Sequence, residues 1–521
     1  MKWEYSLFNR VKDIHSRFLF NGIVEDDSLA ICYIMSYLAY YFKLKNYVEI
    51  GVHNGRILFS VAQTIKDTQG KAYGIDPYTI DKVEEHHTDK KLNKKENKIF
   101  KTIDFEAIYA KVLRDTEALE LSKVVKIIRK TSKKAAEYFK SNEIDMLHID
   151  GNHDYQSVQS DYNIYSPLIR EGGIIVFNCI NLDSVKRCYD QYKNKYKILL
   201  ETNNFGILMK NHKNVKGEAD IPRKLENLYF RLLETENRTK EDKITVNVGV
   251  LAYNHENYIA QCLNSIIKQK GDFNLNIIIS EDKSHDGTAK IVEDYIKNVK
   301  ANKNVTFEFF KGKENLGMVE NLRRLLKACR KSMYTALMDG DDYWDDENKL
   351  QTHIEFMESH PQCSISFDDI IFFDEVENKY NFYNIQQQIK GDIFNTTDIT
   401  SVNFIGNISC CFYYSKYFDQ IPNEFYKMFV GDWMLNIQFS MFGEIGHVKE
   451  AMTIYRKHVQ GIWNGMTEED KNKKTIELID AYNKFLDYAY NEQFTNIRDF
   501  CDSKSGNRYL EPLMYRPSRL E

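Results

Sequence analysis

The sequence has few of the residues that make flexible linkers or cysteine-based metal sites. Its 521 residues include only 7 prolines and 24 glycines, which argues against long flexible connecting segments. The 9 cysteines are scattered without a Cys-x-x-Cys pair, so the spacing of a zinc ribbon is absent. Adjacent cysteines such as Cys410 and Cys411 are typical of packing residues rather than of a disulfide. We therefore expect a reducing, cytoplasmic environment.

The chain also lacks a charge excess and a long apolar run. Lys and Arg number 71 against 76 Asp and Glu, a formal net charge of −5, so we expect no nucleic acid partner. The longest apolar stretch, from Ile31 to Phe42, is too short to cross a bilayer and predicts a buried helix. The N-terminus has no signal-peptide pattern. Peripheral contact with the inner face of the membrane stays compatible with this composition.

The length and the 43% of hydrophobic residues predict two or three globular domains. Short apolar runs alternate with helix-like segments twice, which is typical of parallel sheets covered by helices on both faces. The predicted strands of the first half are Tyr47–Ile50, Ala72–Ile75, Val124–Ile128, Met146–Ile149 and Ile174–Phe177. Those of the second half are Ile244–Leu251, Leu275–Ile279, Val305–Phe310, Tyr334–Met338 and Ser364–Phe367.

Two segments between these strands differ from the rest. Lys82 to Lys101 is polar and lysine-rich, and it fits a solvated loop as well as a lid over a site. Leu225, Leu228 and Leu232 recur at helical spacing and predict an amphipathic helix between the two halves.

The strongest cluster in the second half is Asp339-Gly340-Asp341-Asp342. It follows an apolar strand, so its carboxylates lie at a strand's carboxyl end, where open α/β sheets bind ligands. Closely spaced carboxylates repel one another unless a cation joins them, and Mg²⁺ or Mn²⁺ prefers hard oxygen ligands. An isolated acidic loop is at least as often an ordinary turn as a cation site. The interpretation as a cation site therefore depends on the residues at the ends of the neighbouring strands.

Those neighbouring ends carry groups suited to a nucleotide. Glu281 and Asp282 end one strand and can accept hydrogen bonds from a nucleobase and ribose. Tyr253 follows the first strand and offers an aromatic face on which a base can stack. The three strand ends together predict a nucleotide-sugar site with a divalent cation.

Residues 244 to about 465 resemble the family-2 inverting glycosyltransferases of GT-A fold. The segments that carry this resemblance are VGVLAYNHENYIAQCLNSI, IISEDKSHDGT, KENLGMVENLRRLL and LMDGDDYW. The resemblance implies that the nucleotide sugar is bound by Tyr253, Glu281, Asp282 and Asp339. It also implies that Asp339 and Asp341 hold the metal.

Two later residues take roles from the same resemblance. Asp432, in VGDWMLNIQ, is implied as the general base, and a helix N-cap is the alternative. His458, in YRKHVQGIW, is implied as a further metal ligand, with a buried structural histidine as the alternative.

In the first half, the strand ending in Glu49 and Ile50 runs into a turn with Gly51 and Gly55. Glycines there let a ligand approach the backbone closely. The spacing Glu-x-Gly-x-x-x-Gly differs from the Gly-x-Gly-x-x-Gly of dinucleotide enzymes. Asp76 ends the next strand, where an acid can hold ribose hydroxyls in either class of enzyme.

The segment EIDMLHIDGNHDYQSVQSDYNIYSPLIREGGIIVFN favours a methyltransferase. Across residues 45 to 185 the chain resembles class I methyltransferases of the small-molecule O-methyltransferase group, which includes macrolide-sugar and catechol-like enzymes. The resemblance implies that S-adenosylmethionine is bound by Glu49, Gly51, Gly55 and Asp76.

The same resemblance assigns Asp150 to a metal-ligand position and His153 to a general-base position, with a simple turn as the alternative. A histidine suits proton transfer near neutral pH. Metal-using relatives carry an aspartate where this chain has Asn178, followed by Cys179. That departure argues against a metal in this domain, although Asn178 offers an oxygen ligand.

These resemblances predict two Rossmann-like α/β domains, a methyltransferase and a GT-A glycosyltransferase. The expected boundaries are 1–212 for the methyltransferase domain, 213–243 for a helical linker, 244–466 for the glycosyltransferase domain and 467–521 for a C-terminal helical extension. The leading hypothesis is a bifunctional enzyme, a hexosyltransferase-type glycosyltransferase and O-methyltransferase, of bacterial surface polysaccharide or glycoprotein glycan synthesis. Its expected partners are a nucleotide-diphosphate sugar and a glycan or lipid-linked glycan acceptor.

Two other hypotheses remain. In one, only the glycosyltransferase is active and the first domain is a degenerate module that docks the acceptor or a partner, as the sequence Asn178-Cys179 favours. In the other, the first domain is a nicotinamide oxidoreductase, against which the glycine spacing argues.

Overall fold

The computed structural model describes residues 6–18, 28–79, 103–210, 220–239, 242–300, 304–383, 386, 389–459, 461 and 466–502. The chain divides into two units between Asn237 and Arg238. The lysine-rich insertion, Lys82 to Lys101, lies outside the described residues.

The first unit alternates helices and strands. Its helices are α1 Leu7–Arg17, α2 Ser28–Tyr41, α3 Arg56–Ile65, α4 Phe105–Ala118, α5 Ser132–Ala135, α6 Tyr155–Tyr165, α7 Asp183–Lys193 and α8 Ile221–Asn237. Its strands are β1 Asn46–Ile50, β2 Lys71–Ile75, β3 Val125–Ile128, β4 Ile144–Ile149, β5 Ile169–Phe177, β6 Lys197–Glu201 and β7 Gly206–Met209.

These seven strands form one sheet in the order β3-β2-β1-β4-β5-β7-β6. The five predicted strands are present and run parallel. The sheet is not wholly parallel, because β7 runs antiparallel to both β5 and β6. Ile50 at the end of β1 lies opposite Ile75 of β2 and Ile149 of β4. The loops that follow these three strands therefore meet at one edge of the sheet.

Apolar side chains are buried on both faces of this sheet. Tyr47 packs into the core on one face, while Val48 and Ile50 pack into the core on the other. The apolar run from Ile31 to Phe42 falls largely in α2, whose side chains from Leu29 to Ala39 are buried, whereas Tyr40 is exposed.

The helix predicted before the second half is α8. Its apolar face, Leu225, Leu228 and Leu232, is buried in the same core as α2. Burying a leucine side chain contributes about 1.5–3 kcal/mol, so this packing secures the helix to the first unit.

The second unit repeats the alternation with a different sheet. Its helices are α9 Ile259–Ile267, α10 Thr288–Asn298, α11 Met318–Cys329, α12 Lys349–Ser359, α13 Thr396–Ser401, α14 Asp432–Ser440, α15 Glu468–Phe485 and α16 Asn491–Asp502. Its strands are β8 Ile244–Ala252, β9 Phe273–Glu281, β10 Val305–Lys311, β11 Tyr334–Asp339, β12 Tyr343–Trp344, β13 Cys363–Asp374, β14 Lys379–Phe382, β15 Ile393–Phe394, β16 Cys411–Tyr414 and β17 Glu444–Lys457.

The main sheet has the order β10-β9-β8-β11-β16-β13-β17-β12. Strands β8 to β11 are parallel, as predicted, whereas β16 runs antiparallel to β11 and β13. Ala252 of β8 lies opposite Glu281, and Leu251 lies opposite Asp339. The ends of β8, β9 and β11 are thus level, and the residues that follow them share one edge.

The C-terminal helices start with a capped turn. The side chain of Thr467 accepts a hydrogen bond from the backbone N–H of Asp470, so α15 begins just after Thr467. Among the helices that the structure describes, none is both long and apolar enough to span a bilayer.

Candidate active sites

The acidic loop after β11 gathers three carboxylates. One oxygen each from Asp339, Asp341 and Asp342 lies within 4.8 Å of the others. Asp342 is anchored, because its carboxylate accepts hydrogen bonds from Ser409 Oγ at 2.7 Å and from the backbone N–H of Arg456 at 2.9 Å. Burial and the charge of Asp341 raise the pKa of Asp339 well above its ordinary value. Hard, mutually repelling oxygens of this kind fit a divalent cation.

Two histidines converge on Asp341 at this loop. Nε2 of His458 lies 2.9 Å from Oδ2 of Asp341, and Nε2 of His255 lies 3.6 Å from the same oxygen. Burial alone would raise the pKa of Asp341, but the hydrogen bond from His458 and the electrostatic interactions with both histidines bring it below the ordinary value. The structure thus brings His458 to the predicted cation position.

His255 was not predicted from the sequence. Burial lowers its pKa, which favours the neutral imidazole that can bind a metal. Its backbone N–H donates to Thr288 Oγ1 at 2.7 Å, which fixes the turn after β8. The signal available was its position two residues after Tyr253, at the end of a strand.

Arg456, at the end of β17, is a second residue that the sequence did not indicate. Its Nε donates to the backbone oxygen of Asp341 at 2.9 Å. Its other guanidinium nitrogens contact Glu375 Oε1 at 3.0 Å and Gln261 Oε1 at 2.6 Å. The buried guanidinium therefore holds the acidic loop in place between two other elements.

Asp432 is the first residue of α14, and Gly431 is the N-cap. The alternative that Asp432 caps the helix is therefore wrong. Its charge contributes to the raised pKa values of Asp339 and Asp342, so Asp432 lies within electrostatic reach of the acidic loop. Burial raises the pKa of Asp432 itself to about 6.

At the end of β9, the predicted nucleoside-binding acids serve neighbouring loops. The carboxylate of Glu281 accepts backbone N–H groups of Ser284 at 2.5 Å and Gly312 at 3.2 Å. The carboxylate of Asp282 accepts those of Leu316 at 2.7 Å and Gly317 at 2.9 Å. Each carboxylate oxygen keeps a second lone pair, so binding of a nucleoside by these acids stays a prediction.

Tyr253 follows β8 on the same edge. Its side chain is 38% exposed and meets the ring of His285 edge-on, with 6.3 Å between the centroids. An exposed ring at this edge has a face on which a planar base can stack, and this role also stays a prediction.

In the first unit, the glycine turn lies against the loop after β4. Gly51 has a φ of +89°, and a Cβ there would lie 2.0 Å from the backbone oxygen of Asp150. Gly55 has a φ of +83° and precedes α3. A side chain at Gly51 is therefore excluded, and the turn after β1 passes directly beside Asp150.

Asp76 ties the turn after β1 to the end of β2. Its Oδ2 accepts the backbone N–H groups of Val52 at 3.1 Å and His53 at 3.0 Å. Its Oδ1 accepts that of Tyr78 at 2.8 Å. Burial raises the pKa of Asp76. The carboxylate is thus fixed at the edge where a ribose was predicted to bind.

Glu49 lies inside a buried polar group. Its Oε2 accepts a hydrogen bond from the hydroxyl of Tyr47 at 2.5 Å and lies 3.9 Å from Nδ1 of His148. Burial raises the pKa of Glu49. These contacts of the Glu49 side chain stabilise β1 on its buried side. Binding of the methyl donor by Glu49 stays a prediction.

The predicted pair of Asp150 and His153 is brought together beyond β4. Nε2 of His153 lies 3.6 Å from Oδ1 of Asp150, and Nδ2 of Asn178 donates to the same oxygen at 2.9 Å. Burial raises the pKa of Asp150, but the interactions with His153, His148 and Asn178 together outweigh it, and the net pKa is lowered. The thiol of Cys179 lies within 4.8 Å of a donor atom of both residues. The sequence marked Cys179 as a departure and gave no sign of this approach.

Comparison with known proteins gives a family for each unit. Residues 48–178 match the model of a methyltransferase domain, and residues 247–421 match the model of glycosyl transferase family 2. The chain carries a methyltransferase domain followed by a family 2 glycosyltransferase domain. The predicted fold class, a methyltransferase fold and then a GT-A fold, is confirmed. Asp432 and His458 lie beyond the matched ranges.

Two relatives match parts of the chain. An uncharacterized protein of Mycobacterium tuberculosis is 28% identical over 220 residues, which are 42% of this chain and 60% of that protein. An uncharacterized glycosyltransferase of Haemophilus influenzae is 29% identical over 289 residues, 52% of this chain and 84% of that protein. The chain thus spans about three fifths of the mycobacterial relative.

Two solved structures also show a partial likeness. One is Staphylococcus aureus TarS 1–349 with UDP-GlcNAc, at a TM-score of 0.37 and 18% identity over 52% of this chain and 78% of that one. The other is the mannosyltransferase PcManGT of Pyrobaculum calidifontis with GDP-Man and Mn²⁺. Its TM-score is 0.36 and its sequence identity is 12%, over 55% of this chain and 79% of that one. The glycosyltransferase assignment rests on the family model and not on these scores.

Proposed function

We propose that this protein is a bifunctional enzyme that transfers a sugar from a nucleotide-diphosphate sugar to a glycan and O-methylates a sugar hydroxyl with S-adenosylmethionine. The observation that carries the proposal is that each domain has its chemistry-bearing side chains together at the carboxyl edge of its sheet. In the second domain these are the acids after β11 with His458. In the first they are Asp150 and His153.

In the glycosyltransferase domain, Asp432 takes the proton of an acceptor hydroxyl while that oxygen bonds to the anomeric carbon. The bond from that carbon to the nucleoside diphosphate breaks, and the configuration inverts. Asp339 and Asp341, with His458, would hold an Mg²⁺ or Mn²⁺ that neutralises charge on the leaving diphosphate. Tyr253, Glu281 and Asp282 bind the nucleoside.

In the methyltransferase domain, the acceptor oxygen bonds to the methyl carbon of the sulfonium donor, whose C–S bond breaks to leave S-adenosylhomocysteine. The sulfonium is already activated, so the protein mainly orients the hydroxyl and removes its proton. His153 takes that proton, and Asp150 orients the imidazole. The turn with Gly51 and Gly55, together with Asp76, binds the donor.

The biological setting follows from combining both steps on one glycan. A methyl group on a terminal hydroxyl blocks further extension, so the enzyme would cap a bacterial surface polysaccharide or a glycoprotein glycan. A lipid-linked acceptor would bring the protein to the inner face of the membrane.

Titration of the intact protein separately with S-adenosylmethionine, NAD and several nucleotide diphosphates tests this proposal. We expect the methyl donor and one nucleotide to bind independently. The docking-module alternative, which the sequence Asn178-Cys179 favours, expects no binding of the methyl donor. Binding of NAD in its place would revive the oxidoreductase.

Sugar transfer should require a divalent cation. Without one, Asp339 and Asp341 would face a diphosphate with their negative charges uncompensated. We expect excess chelator to stop turnover of the nucleotide sugar and added Mn²⁺ or Mg²⁺ to restore it. Binding of S-adenosylmethionine in the same chelated sample is the control. Undiminished sugar turnover in excess chelator would contradict the assignment of the acidic loop.

Sugar transfer should also decline in acid because of Asp432. Its pKa is raised to about 6, and a general base works only when ionised. The rate should therefore be full above this value and fall as the pH drops through it, by about tenfold per unit below it. We expect Asp432→Asn to lose this limb in a profile of kcat measured from pH 8 to pH 5. If Asp432→Asn shows the same fall of kcat with decreasing pH, that fall arises from the titration of another group.

A further inference from the structure

We infer that the methyltransferase domain binds a borderline divalent cation such as Zn²⁺ through Asp150, His153 and Cys179. A carboxylate oxygen, an imidazole nitrogen and the thiol sulfur of these residues lie within 4.8 Å of one another. Zinc bonds of about 2.0–2.3 Å place the ligands of a tetrahedral site about 3.3–3.7 Å apart. The 3.6 Å between His153 Nε2 and Asp150 Oδ1 already has that value.

The sheet brings these ligands together from two neighbouring strands. Ile149 at the end of β4 lies opposite Phe177 at the end of β5, so Asp150 and Cys179 leave the sheet side by side. His153 follows Asp150 by three residues and turns back towards it. Asn178 donates to Oδ1 of Asp150 at 2.9 Å and so orients the carboxylate. This hydrogen bond uses one lone pair of Oδ1, which keeps a second lone pair for a cation.

The chemistry of the three donors selects the metal. Mg²⁺ takes oxygen ligands almost exclusively, whereas a thiolate and an imidazole suit Zn²⁺ and similar cations. Asn178 stands where metal-using relatives carry an aspartate, and the sulfur of the next residue, Cys179, is a ligand of a different kind. Three protein ligands leave one tetrahedral position open, as in catalytic zinc sites.

The proposed cation site is inferred from these distances and does not depend on the proposed function. A role of the cation in methyl transfer does rest on the proposed function. A cation here lowers the pKa of a hydroxyl bound beside it. His153 is then a metal ligand in place of the base proposed above, and the proton of the acidified hydroxyl passes to solvent. Loss of His153 stops methyl transfer in this case by removing the cation.

Cobalt substitution of the full-length chain tests the site without an activity assay. After chelation and reloading with Co²⁺, we expect the near-ultraviolet charge-transfer absorption of a thiolate bound to cobalt. Cys179→Ser should abolish this absorption, and Cys501→Ser, outside the cluster, should keep it. His153→Ala should also abolish it, which covers the case that Cys179→Ser does not fold. Absence of the absorption in the wild type, or its persistence in a folded Cys179→Ser protein, overturns the site.

Methyl transfer is measured separately, so the two failures can be told apart. A cobalt–thiolate absorption without methyl transfer refutes the proposed function and supports the site. Methyl transfer with no such absorption, undiminished by chelator, supports the function and overturns the site.

A different observation concerns the C-terminal helices α15 and α16, which lie beyond the matched family range. We propose that they position the general base, and this rests on the proposed role of Asp432. Trp433, the next residue, packs edge-to-face on Tyr482 of α15 and Phe494 of α16, with 6.2 Å between centroids in each pair. Its indole N–H donates to the backbone oxygen of Ile399 at 2.7 Å.

The residue before Asp432 meets the same helix. A Cβ on Gly431 would lie 3.8 Å from the hydroxyl of Tyr482, so the turn passes close to that side chain. Tyr482 and Phe494 are buried, and both neighbours of Asp432 are therefore held by α15 and α16. A base displaced by about 1 Å loses about 10²-fold in rate.

Phe494→Ala tests this positioning role against Phe485→Ala as a matched control. Phe485 lies in α15 and packs on Phe425, whereas Trp433 packs on Tyr482 and Phe494. We expect Phe494→Ala to lower kcat by about 10²-fold with an unchanged KM for the nucleotide sugar, and to shift the acid limb of the pH profile. If Phe494→Ala does not fold, Tyr482→Phe is the substitute test, because it removes only a hydroxyl. We expect a smaller shift of the acidic side of its pH profile.

Equal kcat values for Phe494→Ala and Phe485→Ala, with unmoved pH profiles, overturn the positioning role. If Asp432→Asn itself keeps full activity, the base assignment fails instead, which is a separate result.

Discussion

Asp341→Asn should abolish sugar transfer, with a fall of at least about 10³-fold in kcat/KM. A cation that neutralises a leaving diphosphate supplies several kcal/mol, and each 1.36 kcal/mol is about tenfold in rate. Asp341 is the carboxylate on which His458 and His255 converge, so its loss removes the centre of the proposed cation site. The amide keeps the size of the side chain, which limits the effect on packing.

The comparison variant is Asp345→Asn, which removes an exposed carboxylate four residues away. Sugar turnover should be unchanged there, and both variants should bind S-adenosylmethionine as the wild type does, because the two sites lie in separate domains. A folded Asp341→Asn protein with at least a tenth of the wild-type turnover would refute the cation site. Loss of methyl-donor binding in the same protein would show that the two sites are coupled.

The strand ends of both sites could be predicted because buried parallel strands are marked by local apolar runs. The end of β11 at Asp339 and the end of β4 at Ile149 each fall within one residue of the predicted strand. The acids that follow are therefore placed on the correct edge by sequence alone. The hairpin of β6 and β7 was not predicted, because such short strands at the sheet edge carry a weak pattern.

The partners of those acids could not be predicted, because they depend on strand order. His255 reaches Asp341 only because β8 lies beside β11, and nothing near either residue encodes that neighbour. Arg456 contacts the backbone of Asp341 from β17, more than a hundred residues further along the chain. The approach of Cys179 to Asp150 depends in the same way on the pairing of β4 with β5.

The hydrogen-bond partners of Glu281 and Asp282 could not be predicted from the sequence, because they depend on loop conformation. Their positions at the end of β9 were predicted correctly. Their carboxylates accept backbone N–H groups of loops whose path has no periodic signal. These acids therefore hold the loops at this edge of the sheet, and their contact with a nucleoside stays a prediction.

His153→Ala should lower methyl transfer by about 10²- to 10⁴-fold, the usual contribution of a positioned proton acceptor. The affinity for S-adenosylmethionine should be retained, because the proposed donor site, which is formed by the glycine turn and Asp76 at the ends of β1 and β2, does not include His153. A cation site at Asp150 predicts the same direction, since its loss leaves the acceptor hydroxyl with its ordinary pKa. Donor affinity is measured by titration and transfer by following methyl groups into the glycan.

The pattern of the two readouts decides between the hypotheses for the first domain. An enzyme gives strong donor binding in both proteins and a large loss of transfer only in His153→Ala. A docking module gives neither binding nor transfer in the wild type, so the substitution changes nothing. A folded His153→Ala protein that methylates at the wild-type rate would remove His153 from the reaction, because neither a base nor a metal ligand can be lost without cost. The hydroxyl would then be deprotonated by another group at the edge between β4 and β5, where Asp150 lies next to the glycine turn.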